Sequence, residues 1–337
     1  MRPGSPAAHA PLTWHLADPG LTPQTMAAIV FLAPADLGET VLASGAVAQI
    51  VREGDALTVI CTPDAAPLFR AAPGLAALRT IPAGAGMAQR WSLWMELARQ
   101  RFDIVIDARG GFLASALPAA QRVALKAPTM LRHRAEDWAS ALEADRALAP
   151  KLWLDDAARA AAADIAPGAS LLVLAPGGLT ESKRWPGECF AAVARRLVDG
   201  PLAGARVAVL GAAERDANVT RAIVSSLDAD GVPALDLGQG LDLNAAAALM
   251  ERATLAIGND NALTHIAAAM GAPTLTLFGP TDERVRAPYG PRARTLRGRS
   301  LEDIASSPLD EARAMEDVSI DAVEAAALDL LHAGGLR

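Results

Sequence analysis

The stretch LLVLAPGGLTESKRWPGECFAAVARRLVDG, residues 171–200, carries the strongest indication of the fold. Its first residues, Leu171–Ala175, form an unbroken apolar run, which is typical of a strand buried on both faces. The pair Gly177-Gly178 and a polar loop follow, and apolar residues then recur at helical spacing over 187–199. A strand, a glycine-containing loop and a helix in this order predict one unit of a parallel α/β sheet.

The same alternation continues on both sides of this stretch. The predicted strands are 29–33, 57–61, 104–107, 206–210, 234–237, 254–258 and 274–278, and the predicted helices lie near 41–51, 91–101, 213–227, 243–252 and 261–270. Strands that alternate with helices form parallel sheets covered on both faces. Two such series in tandem predict an α/β protein with two Rossmann-like domains facing each other across a cleft.

The predicted domain order starts with an extension, residues 1–25, which is rich in Pro and Ala and is expected to be disordered. The first domain spans 26–160, and the second spans 168–318 after a join that ends in Pro167-Gly168. The last segment, 319–337, contains an amphipathic helix. The prediction leaves open that this helix packs back on the first domain.

Composition excludes several classes of protein. The 337 residues are 52% hydrophobic and 20% charged, which is enough apolar surface for sizeable cores. A net charge of −7 argues against a nucleic-acid partner. Cys61 and Cys189, the only cysteines, fit a reduced cytoplasmic protein without disulfides or a cysteine metal site. No apolar run is long enough for a membrane span.

The loop after the strand at 171–175 has the composition of an anion site. Gly177 and Gly178 allow close approach of the backbone to a ligand, and the next helix starts just beyond. Lys183 is one of only three lysines in the chain and adds a compact positive charge. An ordinary connecting loop is the alternative interpretation, but the next motif favours phosphate binding.

The second motif, GNDNALTHIAAAMGAP over residues 258–273, also joins a strand end to a helix start. Asp260 or Asn261 can cap the helix, which would leave the N–H groups of residues 262–264 facing the crevice. His265 lies one turn into the helix, where a structural and a functional role are about equally expected.

Three further carboxylates follow strand ends. Glu214 could accept the ribose hydroxyls of a nucleotide, or it could simply favour the helix dipole. In the first domain, Asp36 and Glu39 overlook the cleft, and either could remove a proton from an acceptor hydroxyl. Their alternative roles are a helix cap for Asp36 and a dipole charge for Glu39. The turn 278–282 would close the other side of the nucleotide pocket.

In combination these segments resemble glycosyltransferase family 9, the ADP-heptose:lipopolysaccharide heptosyltransferases. The matching stretches are LGETVLASGAV, APGGLTESKRWPGECFAAVARRL, VAVLGAAERD, AIGNDNALTHIAAAMGAPTLTLFGPTD and AMEDVSIDAV. They are spread over about residues 28–330. The resemblance implies the GT-B fold and inverting transfer without a metal or another cofactor.

The resemblance also implies roles for individual residues. It places the donor on the second domain and the acceptor, a lipopolysaccharide-type glycan, on the first. It assigns the diphosphate to Lys183 and the backbone around Thr180, and the ribose to Glu214. The remaining donor-binding residues it implies are Leu241 beside the adenine, with Asp260, Asn261, Ala262 and His265. A lipopolysaccharide acceptor would bring the enzyme to the cytoplasmic face of the inner membrane as a peripheral protein.

The sequence departs from the family pattern at two places. Glu39 stands where the family usually has the aspartate presumed to be the general base. Asn261-Ala262 stands where the family usually has Ser/Thr-Gly, so a methyl group lies where the donor passes. The predicted catalytic residues are Lys183, Glu39 and, less favoured, Asp36.

Two surface features have alternative interpretations. Trp91, Trp94 and Met95 share one helical face, which could dock on a membrane. Burial explains the spacing at least as well and is the favoured interpretation. The cluster Arg132-His133-Arg134 could meet an anionic acceptor or could be solvated.

Two other functions remain open at the level of sequence. A nucleotide-sugar epimerase can share the GT-B architecture, but it would require more cleft carboxylates and histidines than this chain offers. A catalytically weak nucleotide-sugar-binding protein is conceivable because of the two departures. An NAD-dependent enzyme is disfavoured because no G-x-G-x-x-G follows the first strand of either half.

Overall fold

Two parallel β-sheets form the framework, in a computed structural model that describes residues 26–125, 131–168, 170–238, 241–306 and 313–334. The predicted extension, residues 1–25, lies outside the described residues. The predicted α/β class with two tandem series of strands is confirmed. Every strand pair within each sheet is parallel.

The first sheet has the strand order β3-β2-β1-β4-β5. Its elements are β1 Ala28–Leu32, α1 Leu37–Ile50, β2 Ala56–Cys61, a 3₁₀ helix Ala66–Phe69, β3 Leu75–Thr80, α2 Met87–Leu97, β4 Phe102–Asp107, α3 Phe112–Ser115, β5 Ala119–Ala124 and α4 Arg134–Ala141. The direction of strand order reverses between β1 and β4. Ligands of open α/β sheets bind at such a reversal, beyond the carboxyl ends of the strands.

The second sheet has the order β11-β10-β9-β6-β7-β8. Its elements are α5 Asp156–Ile165, β6 Leu171–Ala175, a 3₁₀ helix Glu181–Lys183, α6 Gly187–Asp199, β7 Arg206–Leu210, α7 Ala213–Ala229, β8 Ala234–Leu237, α8 Leu243–Glu251, β9 Leu255–Asn259, α9 Ala262–Ala269, β10 Thr274–Phe278, α10 Glu283–Arg286, β11 Ala293–Arg297, α11 Leu301–Ala305 and α12 Ile320–Ala333. Here the order reverses between β6 and β9. The loops that follow these two strands are the two motifs that the sequence singled out.

Three strands were not predicted, and all three lie at a sheet edge. β3, β5 and β11 each contain alanine and arginine in place of an apolar run, and most of their residues are partly or fully exposed. An edge strand is paired on one side only and is less completely covered, so it lacks the apolar signature of an interior strand.

Two helices in the first domain start four residues earlier than predicted. The side chain of Asp36 accepts a hydrogen bond from the Glu39 N–H, so α1 begins at Leu37. Gln89 Oε1 accepts from the Gly86 N–H at 3.2 Å, so α2 begins at Met87. Side chains that bind free backbone N–H groups fix helix starts more sharply than the apolar period does.

The two domains share a continuous apolar interface. Helix α1 of the first domain packs on α9 of the second. Val41 of α1 and Ile266 of α9 belong to one buried cluster, and both are fully buried. A Cβ atom on Gly45 would lie 2.8 Å from the Ala149 carbonyl oxygen, so only glycine lets the interdomain segment lie directly on α1.

Asn244 ties the second domain to the first and to the segment between them. Its Nδ2 donates to the carbonyl oxygens of Pro67, at 2.9 Å, and Trp153, at 2.8 Å. Its Oδ1 accepts from the Asp155 N–H at 3.1 Å. The residue is fully buried, so these three backbone groups depend on one side chain.

The C-terminal helix α12 contacts α6 and the strands β9, β10 and β11. The sequence had left open its return to the first domain, but its apolar residues are buried in the core of the second. Val323 and Leu331 belong to the same cluster as Trp185, whose Nε1 donates to the Val318 carbonyl at 2.8 Å.

Helix α2 is less buried than the sequence indicated. Trp91 is 51% exposed and Met95 43% exposed, so the preference for burial was wrong for both. Trp94 is partly buried and stacks on Trp91 with ring centroids 4.9 Å apart. Only one side of α2, with Leu97 fully covered, reaches the sheet. Among the described helices, none has both the length and the apolar character needed to cross a membrane.

We expect Asn244→Leu to lower the free energy of unfolding by about 2–4 kcal/mol, because three buried backbone groups lose their partner. Urea denaturation followed by circular dichroism measures the change. Asn218→Leu, at an exposed position of α7, is the control and should have little effect. Equal stability of the two variants would show that Asn244 does not hold the domains together.

Candidate functional site

A cavity of about 660 Å³ lies between the two domains, at the strand-order reversals of both sheets. Eight of the predicted site residues line it: Asp36, Glu39, Lys183, Leu241, Asp260, Asn261, Ala262 and His265. The other four, Gly177, Gly178, Thr180 and Glu214, are not among its lining residues. The structure therefore brings together residues from both domains that are far apart in the sequence.

Lys183 and Asp260 form an ion pair on the wall of the second domain. Lys183 Nζ lies 2.8 Å from Asp260 Oδ2, and the Asp260 side chain is only 9% exposed. Lys183 ends the short 3₁₀ helix after β6, and Asp260 directly follows β9. The pair therefore spans the point where the strand order reverses, with the ammonium group beside the cavity.

Asn261 caps helix α9 and also binds the loop after β6. Its Oδ1 accepts from the N–H groups of Leu263, at 2.9 Å, and Thr264, at 3.3 Å. Its Nδ2 donates to the carbonyl oxygens of Ala175, at 3.0 Å, and Gly177, at 2.9 Å. Two of the three N–H groups predicted to face the crevice, those of residues 263 and 264, are thus already bound.

Asn259 connects the same two segments from within the core. Its Nδ2 donates to the Pro176 carbonyl at 2.6 Å, and its Oδ1 accepts from the Trp185 N–H at 3.2 Å. The residue is fully buried. The two asparagine side chains fix the loop that carries Lys183 against the start of α9.

Gly177 and Gly178 are required by packing within the loop. A Cβ atom on Gly177 would lie 2.2 Å from Asp216 Oδ2, and one on Gly178 would lie 2.9 Å from Arg184 Cγ. Both glycines are buried and neither lines the cavity. The absence of a side chain at these two positions is therefore needed for packing, and their approach to a ligand stays a prediction.

Thr180 lies at the exposed edge of this loop. Its Oγ1 is 3.1 Å from Ser182 Oγ, and the residue does not line the cavity. Leu179, one residue before it, is 73% exposed and does line the cavity.

Glu214 is exposed in the first turn of α7 and does not line the cavity. The buried carboxylate of this segment is Asp216, whose Oδ2 accepts from the Ala212 N–H at 2.8 Å. Ala212 and Arg215, on either side of Glu214 in the sequence, do line the cavity. The first-turn dipole interpretation of Glu214 fits this position.

His265 is 5% exposed and faces the start of α1. A Cβ atom on Gly38 would lie 3.1 Å from His265 Nε2, so the ring lies directly against the start of α1. Burial lowers the pKa of His265 to about 4, although the nearby carboxylates of Asp260 and Asp36 act in the opposite direction. Its Nδ1 has no hydrogen-bond partner within the described residues. The ring is thus neutral near pH 7.

Glu39 is held between two arginines. Arg134 Nε donates to Glu39 Oε2 at 3.0 Å, and Arg286 Nε lies 3.0 Å from Oε1. The Glu39 side chain is 14% exposed. Asp36 is exposed beside it, and its Oδ1 accepts from the Glu39 N–H at 2.9 Å.

Sequence reasoning missed the contribution of Arg134, Arg215 and Arg286. Arginine supplies most of the positive charge of this chain, so a single arginine in a loop or helix carries no distinctive signal. Arg134 was considered only as part of a basic surface cluster. Its side chain is 18% exposed and also binds Asp137, so a solvated surface does not describe it.

Comparison with known proteins identifies one family. Residues 122–307, more than half of the chain, match the family model described as glycosyltransferase family 9 (heptosyltransferase). A lipooligosaccharide heptosyltransferase 2 of Haemophilus influenzae is 32% identical over 117 residues. That region covers 34% of this chain and 33% of the relative, so the chain matches only about a third of its length.

Solved structures share the whole architecture. A glycosyl transferase family 9 protein from Veillonella parvula superposes with a TM-score of 0.72 at 20% identity, covering 91% of this chain and 97% of that one. An ADP-heptose lipopolysaccharide heptosyltransferase II of Escherichia coli gives a TM-score of 0.70 at 18% identity, covering 91% and 99%. The predicted GT-B fold is confirmed.

The buried neutral imidazole of His265 predicts a pH dependence of stability. The unfolded chain binds a proton at a pKa near 6.5, whereas the folded chain binds it only near 4. Between these values the unfolded state holds more protons, so stability falls as pH decreases. Between about pH 7.5 and about pH 5, we expect the wild-type chain to lose about 2 kcal/mol more unfolding free energy than His265→Gln.

Urea denaturation at the two pH values measures this difference. His332→Gln, at an exposed position in the last turn of α12, is the control and should keep the full loss. An unchanged pH dependence in His265→Gln would contradict burial of a neutral ring.

Proposed function

This chain belongs to glycosyltransferase family 9, and on that premise we propose that it transfers a heptose from ADP-heptose to a lipopolysaccharide-type glycan acceptor. The observation that carries the proposal is the cleft itself. One wall presents Lys183, Asp260 and the start of α9, and the other presents the carboxylates of Asp36 and Glu39. Transfer of a sugar from a nucleotide diphosphate to a hydroxyl requires an anion-binding wall opposite a proton acceptor.

The donor would lie along the second domain. We assign its diphosphate to Lys183 and to the N-terminal end of α9, where Ala262 lines the cavity. Leu241 and Leu243 also line the cavity and would contact the base. Support for ADP comes from the related Escherichia coli protein, which is an ADP-heptose heptosyltransferase. Binding of the ribose by Glu214 stays a prediction.

The reaction would be a single displacement with inversion at the anomeric carbon. The acceptor oxygen forms a bond to that carbon while its proton passes to a carboxylate, for which we favour Glu39 over Asp36. The bond from the anomeric carbon to the diphosphate oxygen breaks, and its electron pair leaves with ADP. Lys183 stabilises the charge that develops on the leaving diphosphate.

The neutral ring of His265 lies between the two walls. The carboxylates of Asp36 and Asp260, one on each wall, both act electrostatically on its pKa. A neutral imidazole both donates and accepts a hydrogen bond. His265 lines the cavity, and we propose that its ring contacts the donor.

The family match favours transfer over epimerisation. An epimerase would release an isomerised sugar without an acceptor, so product analysis with donor alone separates the two reactions. A protein that only binds nucleotide sugars would show donor binding without turnover across a panel of acceptors. Contact with the inner membrane stays a prediction, and the exposed face of α2 is the surface that supports it.

We expect ADP to stabilise the fold more than UDP or GDP in a thermal-shift screen, since a bound nucleotide stabilises the folded state by mass action. At a concentration about 100 times Kd the gain is about 2.7 kcal/mol. Larger shifts with UDP or GDP would overturn the assignment of adenine but leave glycosyl transfer standing.

We expect Lys183→Ala to lower kcat at least about 100-fold, because one preformed positive charge at the leaving group is lost. Transfer assays with ADP-heptose and circular dichroism of the variant measure activity and folding separately. Lys151→Ala replaces an exposed lysine away from the cavity and is the matched control. Near-normal turnover in Lys183→Ala would remove this residue from the mechanism.

A further inference from the structure

The charged lining of the cleft is unusual for a site that holds a diphosphate. Carboxylates outnumber cations, with Asp36, Glu39, Asp64, Asp242 and Asp260 against Lys183, Arg215 and Arg286. A diphosphate anion entering such a cavity must recruit positive charge that is already engaged elsewhere.

All three cations of this lining are paired with carboxylates. Lys183 is bound to Asp260 at 2.8 Å. Arg215 Nε donates to Asp216 Oδ1 at 3.3 Å, on its neighbour in the sequence. Arg286 alone has its partner on the opposite domain, with Nε 3.0 Å from Glu39 Oε1.

Of these three ion pairs, the one between Arg286 and Glu39 breaks most easily. The Arg286 side chain is 51% exposed, and its N–H is not aligned on Oε1, which accepts no hydrogen bond within the described residues. An ion pair with one half-exposed partner and no aligned hydrogen bond contributes little to stability. Arg286 therefore loses little free energy when it exchanges Glu39 for a diphosphate as its partner.

Arg134 is placed to remain on Glu39 after such a release. It donates to Oε2 at 3.0 Å, is 18% exposed and is itself held by Asp137 at 3.1 Å. Nearby, His133 Nε2 lies 2.9 Å from the carbonyl oxygen of Ala287, so the segment that carries Arg286 stays attached to the first domain. Arg286 can then change partners by moving its side chain alone.

We propose that Arg286 exchanges Glu39 for the diphosphate when the donor binds, which uncovers Glu39 Oε1 for the acceptor. This inference rests on the proposed function and adds a donor-binding residue to it. Arg286 then neutralises charge on the departing ADP as the anomeric carbon–oxygen bond breaks. The proton of the attacking hydroxyl goes to Oε1, which the same movement has made accessible. Binding of donor and exposure of the base thus become one event.

Binding of ADP to the full chain, measured by isothermal titration calorimetry, tests this exchange. We expect Arg286→Gln to weaken ADP binding about tenfold or more, because a charge-assisted contact to phosphate is lost. Glu39→Gln should bind ADP about two- to fivefold more tightly, because Arg286 no longer has a competing carboxylate. The double variant should bind as weakly as Arg286→Gln.

The opposite sign of the effect in Glu39→Gln excludes a merely structural explanation, since damage to the fold would not tighten binding. Arg284→Gln is the matched control on the same short helix. Its side chain pairs with Asp282 at 2.8 Å, does not line the cavity and should leave ADP binding unchanged.

The remaining outcomes overturn the exchange. Equal ADP binding in Arg286→Gln and the wild-type chain would overturn the exchange but leave the proposed transfer intact. Weaker binding in Glu39→Gln would do so as well. If the thermal-shift screen selects UDP or GDP, that nucleotide replaces ADP in the titrations. If none of the three binds, the exchange falls together with the nucleotide-sugar proposal.

Discussion

The donor wall of this protein depends on two side-chain amides that join the loop after β6 to the start of α9. Asn259 and Asn261 each donate to carbonyl oxygens of that loop and accept from N–H groups beyond it. Without these bonds, buried backbone groups on two neighbouring strand ends would lack partners. A serine or threonine at position 261 could cap the helix, but it has no NH₂ group to bind two carbonyls. The departure at this position from the family pattern thus has a physical role.

Electrostatic pairing balances the charges that line the cleft. Lys183 and Arg286 contact Asp260 and Glu39, and burial keeps His265 neutral. Each charge that catalysis would use is balanced before a ligand arrives. Pairing of this kind avoids the cost of leaving a partly buried charge without a partner. It also means that the ligand must compete for its contacts, so the affinity of the site depends on how loosely each pair is held.

Much of the fold was predictable, since interior strands of parallel sheets carry apolar runs. The strands at 171–175, 206–210, 234–237 and 274–278 have the predicted bounds. The edge strands β3, β5 and β11 were missed because exposure on one side removes that run. Helix starts at Leu37 and Met87 were misplaced because single side-chain caps decide them. Exposure of Trp91 could not be predicted, because the spacing of apolar residues indicates a shared face without showing that anything covers it.

The sequence by itself determined the α/β class, the two-domain order and the motifs that meet at the cleft. Those features follow from local patterns: apolar runs, glycine loops and caps that act within a few residues. The partners of the charged side chains were decided only by the tertiary structure. Glu39 and Arg286 are separated by most of the chain, and they meet because α1 packs on α9 and brings the two domains together. An ion pair needs only proximity and opposite charge, and in a chain with so many arginines no sequence pattern shows which one arrives.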